Sequence, residues 1–155
     1  MHTAHCTQGT IGPLYPNEQT TVPLWFALKL RKSGKCKIVI PDWLRSDALR
    51  TCLESEKVEK TFSPLPPYYI SISMQLLKFA GQDFPNNEQH TVKSLLYDLQ
   101  TIRSDKINEG ITSGLMQQQG AVLGYQMNHI TSSEIQKIRK MTNLMLTKLN
   151  KIAPE

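Results

Sequence analysis

Residues 21–44, TVPLWFALKLRKSGKCKIVIPDWL, hold a helix start, a basic turn, a short apolar run and a second helix start in quick succession. Pro23 suits a first helical turn, because its missing N–H would find no intrahelical partner there. Gly34 suits the left-handed position just past a helix end. The pattern predicts a helix over 23–32. Since this helix is apolar nearly all round, we expect it to be buried or to await a partner.

The apolar run after the basic turn predicts one short strand over 36–40, because β-branched residues suit a pleated surface and Pro41 ends the run. A second helix is expected from Asp42, a residue suited to capping, to about residue 57. The residues expected on its buried face are Leu44, Ala48, Leu49, Cys52 and Leu53. Those expected on its outer face are Arg45, Asp47, Arg50, Glu54 and Glu56.

Three further helices are predicted. Residues 69–80 have almost no polar stripe, so this helix is expected at the centre of a bundle. The apolar face of the next helix is formed by Val92, Leu95, Leu96, Leu99 and Ile102. Ile107, Ile111 and Leu115 continue at four-residue spacing but rotated, so we expect them to face another neighbour.

The last helix has the clearest start signal. Thr131 and Glu134 form a T-x-x-E capping box, in which each side chain reaches the other residue's backbone N–H. The apolar stripe that follows is Ile135, Ile138, Met141, Met145, Leu149 and Ile152. Leu144 projects among lysines instead, so it is a candidate partner contact. The fold class predicted from these elements is mainly α: an irregular bundle of four to five helices with a short β element near the N-terminus.

Composition and motifs exclude several classes of protein. The chain has 155 residues, of which 39% are hydrophobic and 20% charged, as in ordinary globular proteins. No apolar run approaches the roughly 20 residues needed to span a bilayer. The first ten residues lack a signal-peptide core, so an intracellular protein is expected. Because no phosphate-binding loop, zinc-binding motif or nucleophile motif is present, we expect neither an enzyme nor a cofactor or metal.

The net charge of +5 keeps a DNA-binding module open as the alternative. Two basic clusters carry that charge, one at 29–37 and one at 137–151. In the sequence, no aromatic residue interleaves either cluster, and such residues form the stacking surface of single-strand binders. The order of expectation is solvated surface charge first, an acidic protein surface second and the DNA backbone third.

The order of motifs resembles the GINS complex family of eukaryotic DNA replication, and within it the second of the subunits called partners of Sld-five. The residues that carry the match near the N-terminus are Pro23, Leu24, Trp25, Ala27, Lys35, Cys36, Pro41, Trp43 and Leu44. Those that carry it downstream are Phe62, Pro64, Pro66, Tyr68, Tyr69, Asn128, Ile130, Glu134 and Ile135, with a partial match at Arg103 and Lys106.

The resemblance implies a non-catalytic scaffold subunit in the nucleus, bound to three other GINS subunits in a hetero-tetramer. Through that assembly it would reach the MCM ring and the Cdc-forty-five protein of the replicative helicase, with indirect or weak DNA contact and no membrane. Because members of the family begin with additional strands, residues 1–41 are expected to form a truncated small module and 42–155 the helical domain. The residues expected at subunit or partner interfaces are Leu24, Trp25, Leu28, Ile107, Ile111, Leu115 and Leu144.

Overall fold

The computed structural model describes residues 4–6, 9–11, 14–116, 128–140 and 143. The chain divides into two compact units, residues 1–39 and 40–155. The described part is mainly helical, as predicted. The first unit contains the strands β1 (Ala4–Cys6) and β2 (Gly9–Ile11) and the helix α1 (Leu24–Lys32). The second unit contains α2 (Ser46–Val58), α3 (Tyr69–Phe79), α4 (Gln89–Met116) and a last helix, α5, over 132–140.

The helix α1 ends as the sequence predicts. Gly34 adopts φ +68°, in the left-handed region that favours glycine. Its N–H donates to the Arg31 carbonyl at 2.9 Å, and the Lys35 N–H donates to the Leu30 carbonyl at 3.0 Å. These two bonds form a Schellman motif, which satisfies carbonyls that the helix end would otherwise leave unpaired.

The surface of α1 is only partly covered. Leu28 is the one buried side chain among the residues of this helix, and Trp25 is 55% exposed. The first of the two sequence-based expectations, that this helix is buried, is therefore not met within the chain itself.

The strand predicted over 36–40 is not confirmed. In the described part of the chain, the strand pairing is β1 with β2, antiparallel, with His5 opposite Thr10. Residues 36–40 have no strand structure; the Cys36 thiol donates to the Ala27 carbonyl at 3.8 Å. A β-branched run favours an extended backbone, but an extended backbone becomes a strand only where it forms a regular ladder of hydrogen bonds.

The helix predicted from Asp42 is interrupted. Residues 42–44 form one 3-10 turn, and Arg45 then has an extended backbone, with ψ 151°. The helix α2 starts only at Ser46, whose N–H donates to a Glu88 carboxylate oxygen at 3.4 Å. The expected capping residue, Asp42, instead pairs with Arg45 on the surface at 3.3 Å. A carboxylate 42 residues further along the chain therefore caps α2.

The buried face of α2 includes a charged residue. Leu49, Leu53 and Glu56 follow one another at helical spacing, and all three are buried. The assignment of Glu56 to the outer face was therefore wrong. The reason is that acidic residues are normally exposed unless they are paired, and the partner of Glu56 lies far away in sequence.

The helix α4 has its main packing contact with α2 and carries one buried stripe along its length. The members of this stripe are Val92, Leu96, Leu99, Arg103 and Ile107. Ile107 is buried, and it borders a small cavity that Ile138 of α5 also lines, which agrees with the expectation that this part of the helix faces another neighbour. Arg103 occupies a position of the buried stripe that a count of apolar residues passes over.

The helix α3 is not central to the bundle, contrary to the prediction. Tyr69, Ser73 and Leu76 form its buried face. Tyr68 and Met74 are exposed at 63% and 62%. The outermost ridge is polar and consists of Ser71, Gln75 and Lys78. None of the helices in the described part of the chain combines the length and apolar character needed to cross a bilayer.

The buried stripe of α4 can be tested by substitution. We expect Ile107→Ala to lower the free energy of unfolding by about 2–5 kcal/mol, because it removes a buried branched side chain. Tyr97 lies on the exposed side of the same helix, so Tyr97→Ala should change it by no more than about 0.5 kcal/mol. Urea denaturation followed by circular dichroism measures both. Equal, small losses would mean that the buried stripe of α4 stops before Ile107.

Candidate functional site: a buried ion network

Four charged side chains from three helices meet in the interior of the second unit. Glu56 comes from α2, Arg103 and Lys106 from α4, and Glu134 from the first turn of α5. We call these four residues the ion network. The side chains of Glu56 and Arg103 are fully buried, that of Glu134 is 4% exposed and that of Lys106 is 18% exposed. Burial of this many charges is sustained only by pairing, which the geometry provides.

Arg103 lies at the centre and uses all five of its N–H donors. Its Nε and Nη2 donate to the two Glu134 carboxylate oxygens at 2.7 and 3.1 Å, the two-pronged geometry in which arginine binds a carboxylate most strongly. Nη1 donates to Glu56 Oε1 and to the Ser63 carbonyl, the latter at 3.2 Å. The fifth bond runs from Nη2 to the His129 carbonyl at 2.8 Å.

Glu56 connects the network to the linker between α2 and α3. Its Oε1 accepts the Ser63 N–H at 2.9 Å, and its Oε2 accepts Lys106 Nζ at 2.6 Å. Lys106 Nζ also donates to the Thr61 carbonyl at 3.2 Å. The linker backbone is therefore bonded to α4 on both sides of residue 62 and to α2 at Ser63.

Phe62 packs between these two linker contacts. Its ring centroid lies 4.8 Å from Arg103 Cζ and 5.6 Å from Lys106 Nζ, so both cations lie within the range of cation–π attraction. The ring is 8% exposed. Phe62 thus covers the network with apolar surface and attracts its two positive groups.

One of the two hydrogen bonds predicted for the capping box at the start of α5 is confirmed, and the other has a different partner. Glu134 Oε2 accepts the Thr131 backbone N–H at 2.9 Å, as predicted. The Thr131 hydroxyl donates to the same Oε2 at 2.8 Å. Arg103 binds this carboxylate as well, so the residue that caps α5 also joins it to α4. A local signal read from four residues is therefore part of a long-range contact.

The electrostatics of the network favour its charged form. Burial by itself raises the pKa of the Glu134 carboxyl, but hydrogen bonds from Arg103 and Thr131 outweigh burial and place the pKa below its ordinary value. Burial lowers the pKa of Arg103, and the hydrogen bond and charge of Glu134 reverse this, so the pKa is raised overall. The two positive and two negative groups balance one another.

This arrangement is suited to holding chain segments together. Glu134, ionised and already accepting from Arg103 and Thr131, is a poor proton donor near neutral pH. Burial raises the pKa of the nearby Cys52 thiol, which disfavours the reactive thiolate. Burial also raises the pKa of Tyr69, whose hydroxyl has no hydrogen-bond partner among the described residues. In the part of the chain that the structure describes, no cluster of three or more His, Cys, Asp or Glu side chains is placed to hold a metal ion.

The residues predicted to form interfaces fall into three groups. Trp25 is exposed, and Leu24 and Ile111 are half-buried. Leu28 and Ile107 are buried; Ile107 borders a small cavity between α4 and α5, which Ile138 also lines. The side chain of Leu115, and Leu144 as a whole, lie outside the described residues.

The positions that carried the family resemblance are scattered over the structure. Phe62 and Glu134 meet at the ion network, and Tyr69 is buried beside it. Arg103 and Lys106, the partial match, also belong to the network. Among the other positions in the second unit, Leu44 is buried; Pro41, Trp43, Pro66 and Ile130 are half-buried; and Pro64, Tyr68, Asn128 and Ile135 are exposed. In the first unit, Leu24, Ala27 and Cys36 are half-buried, and Pro23, Trp25 and Lys35 are exposed. Glu56 was missed, although its spacing from Leu49 and Leu53 was visible in the sequence.

Comparison with known proteins gives matches along almost the whole chain. The PSF2 N-terminal domain model matches residues 1–39, and the GINS complex protein helical bundle domain model matches residues 43–153. The DNA replication complex GINS protein PSF2 of Homo sapiens is 30% identical over 128 residues, which cover 82% of this chain and 66% of that protein.

Two other relatives extend these matches. The Xenopus laevis protein of the same name is 30% identical over 131 residues, covering 84% of this chain and 68% of that protein. The Schizosaccharomyces pombe protein of the same name is 28% identical over 145 residues, which cover 92% of this chain and 74% of that protein. The chain thus spans about two thirds to three quarters of the length of these curated relatives.

The role of Arg103 can be tested by truncation. We expect Arg103→Ala to lower the free energy of unfolding by about 3–5 kcal/mol, because it leaves two buried carboxylates without their main partner. The control is Arg50→Ala on the exposed side of α2. Its free energy of unfolding should stay within about 0.5 kcal/mol of that of the original chain. Arg103→Lys keeps the positive charge but loses the two-pronged contact with Glu134. Its loss of unfolding free energy should therefore lie between those of Arg103→Ala and Arg50→Ala. Similar stabilities for all variants in urea denaturation would contradict a structural role.

The lowered pKa of Glu134 predicts a pH dependence. A carboxyl whose pKa is lower in the folded state stabilises the fold above its unfolded pKa of about 4.3. That contribution is lost as the pH falls through the folded value. The melting temperature of the original chain should therefore fall more steeply below about pH 5 than that of Glu134→Gln. Glu109→Gln, at an exposed carboxylate of α4, should follow the original chain. Parallel curves for all three proteins would show that Glu134 does not contribute.

Proposed function

The chain belongs to the PSF2 family of GINS complex proteins, and from this membership we propose that it is a subunit of a GINS complex that serves DNA replication. The observation that carries the proposal is the succession of the two family models, over residues 1–39 and then 43–153. In this proposal the chain acts in the nucleus, assembles with three other GINS subunits and, through them, associates with the MCM ring and the Cdc-forty-five protein.

The proposed role is that of a scaffold without catalytic activity. Two features support it: the charged side chains that meet in the interior are neutralised by one another, and large apolar side chains lie on the surface. Trp25, Tyr68, Met74 and Tyr97 are each more than half exposed. Exposed apolar groups of this size are characteristic of surfaces that another protein covers.

The proposed interface in the first unit is α1. Leu24 and Trp25 would contact a partner, whereas Leu28 is buried and would support the helix from beneath. In α4, Ile111 would make the corresponding contact, with Ile107 packed inside the chain. In this account the function is geometric, because partners are held in place by shared burial of apolar surface.

The alternative is a DNA-binding module. Lys137, Arg139 and Lys140 are exposed on α5, and this observation supports some attraction for the DNA backbone. Such a contact would weaken steeply with salt and would be lost on charge reversal at Lys137 and Lys140. Within the proposed complex it would be an indirect or weak contact.

Assembly tests the proposed function directly. Co-expressed with three GINS subunits from the same organism, the chain should elute with them as one complex in size-exclusion chromatography. Trp25→Ala should weaken co-elution without unfolding the chain, because the indole is exposed. The matched control is Tyr15→Ala, which removes a 48% exposed aromatic side chain of the same unit outside α1. If the original chain elutes apart from the three subunits, membership in such a complex is wrong.

A further inference from the structure

Almost all of the net charge lies in the first unit. Residues 1–39 contain five basic residues, all between 29 and 37, and one acidic residue, Glu18, so this unit carries +4 of the chain's +5. Residues 40–155 contain 13 basic and 12 acidic residues and are close to neutral. Positive charge concentrated in so short a segment attracts anionic partners.

The structure places an aromatic ring in line with this charge. Trp25, Lys29 and Lys32 are spaced four and three residues apart in α1, and all three side chains are exposed. Residues at this spacing lie on one side of a helix. We call these three residues the α1 face. No aromatic residue interleaves the basic cluster in the sequence, but Trp25, which precedes the cluster in the chain, adjoins it on the helix.

The indole of Trp25 is supported on one side. It meets the half-buried Phe26 ring edge to face, with 5.6 Å between centroids and 70° between planes. This is a favourable aromatic geometry. A partner would therefore meet an aromatic ring already positioned by its neighbour, which reduces the entropy lost on binding.

Helix stability accounts for only part of this pattern. Cations in the last turn of a helix are favoured by its dipole, which accounts for the presence of Lys29, Arg31 and Lys32 whether or not another protein binds. The dipole does not explain Lys35 and Lys37, which lie beyond the helix and are exposed. Nor does it explain an indole that is 55% exposed on the same face. Both features favour a ligand that is acidic and apolar at once.

We propose that the α1 face is a docking surface for an acidic amphipathic segment of a partner protein, an inference that rests on the proposed function as a subunit of an assembly. Apolar side chains of that segment cover Trp25, and its carboxylates pair with Lys29 and Lys32. An amphipathic helix recognises a partner through positions spaced in this way. Single-stranded nucleic acid is disfavoured, because its binders stack successive bases on several aromatic rings and the α1 face has one.

The proposal is tested with two fluorescent probes of similar charge on the purified 155-residue chain. One is a peptide of about 20 residues that forms an acidic helix with leucines along one side. The other is a single strand of about 20 thymidines. We expect the peptide to bind more tightly in fluorescence anisotropy. Lys29→Glu/Lys32→Glu should weaken peptide binding about tenfold or more, and Trp25→Ala should also weaken it measurably.

The matched control is Lys57→Glu/Lys60→Glu. These lysines are also exposed and three residues apart; Lys57 lies in the last turn of α2 and Lys60 just beyond its end. Peptide binding should be unchanged in this variant. Equal losses in the two double variants would mean nonspecific charge attraction and would overturn the proposal. Tighter, Trp25-dependent binding of the oligonucleotide would assign the face to nucleic acid, and binding of neither probe would leave the face without the proposed specificity; either result overturns it.

Co-elution with the other GINS subunits separates this inference from the proposed function. If the original chain fails to assemble with them, the proposed function fails. If it assembles, and the two double variants lose peptide binding equally, only the proposal of a docking surface on the α1 face is wrong.

Discussion

A guanidinium removed from water must find a partner for each of its donors, and this requirement dominates the second unit. Arg103 finds them in two carboxylates and two backbone carbonyls, those of Ser63 and His129. These groups come from α2, the linker after it and the start of α5. A shift of any one segment would leave a buried charge or carbonyl unpaired, at a cost of several kcal/mol. The ion network therefore specifies one arrangement of these segments over its alternatives.

The parts of this structure that were predictable from sequence are those governed by neighbouring residues. The left-handed turn at Gly34 and the start of α5 at Thr131 each depend on a few adjacent positions, and both are confirmed. The ion network could not be read in the same way. Arg103 binds Glu56 across 47 residues and Glu134 across 31, and a charged residue at helical spacing is normally a surface residue.

The same limit explains the errors at the edges of the elements. Residues 36–40 have the composition of a strand, but composition favours an extended backbone and does not by itself produce a regular ladder of hydrogen bonds. Asp42 has the chemistry of a cap, yet Glu88 performs that role for α2 from a distant position. The family resemblance, by contrast, depended on the order of several rare residues along the chain. It was recognisable even though the contacts made by those residues were not.

The central claim, that the buried ions hold the helices together through direct coupling, is tested most directly by a double-mutant cycle on Arg103 and Glu134. The free energies of unfolding of Arg103→Met, Glu134→Gln and the double variant are compared with that of the original chain. Direct coupling predicts that the double variant loses less stability than the sum of the single variants, by more than about 1 kcal/mol. Additivity within about 0.5 kcal/mol would contradict it, because independent sites give that result.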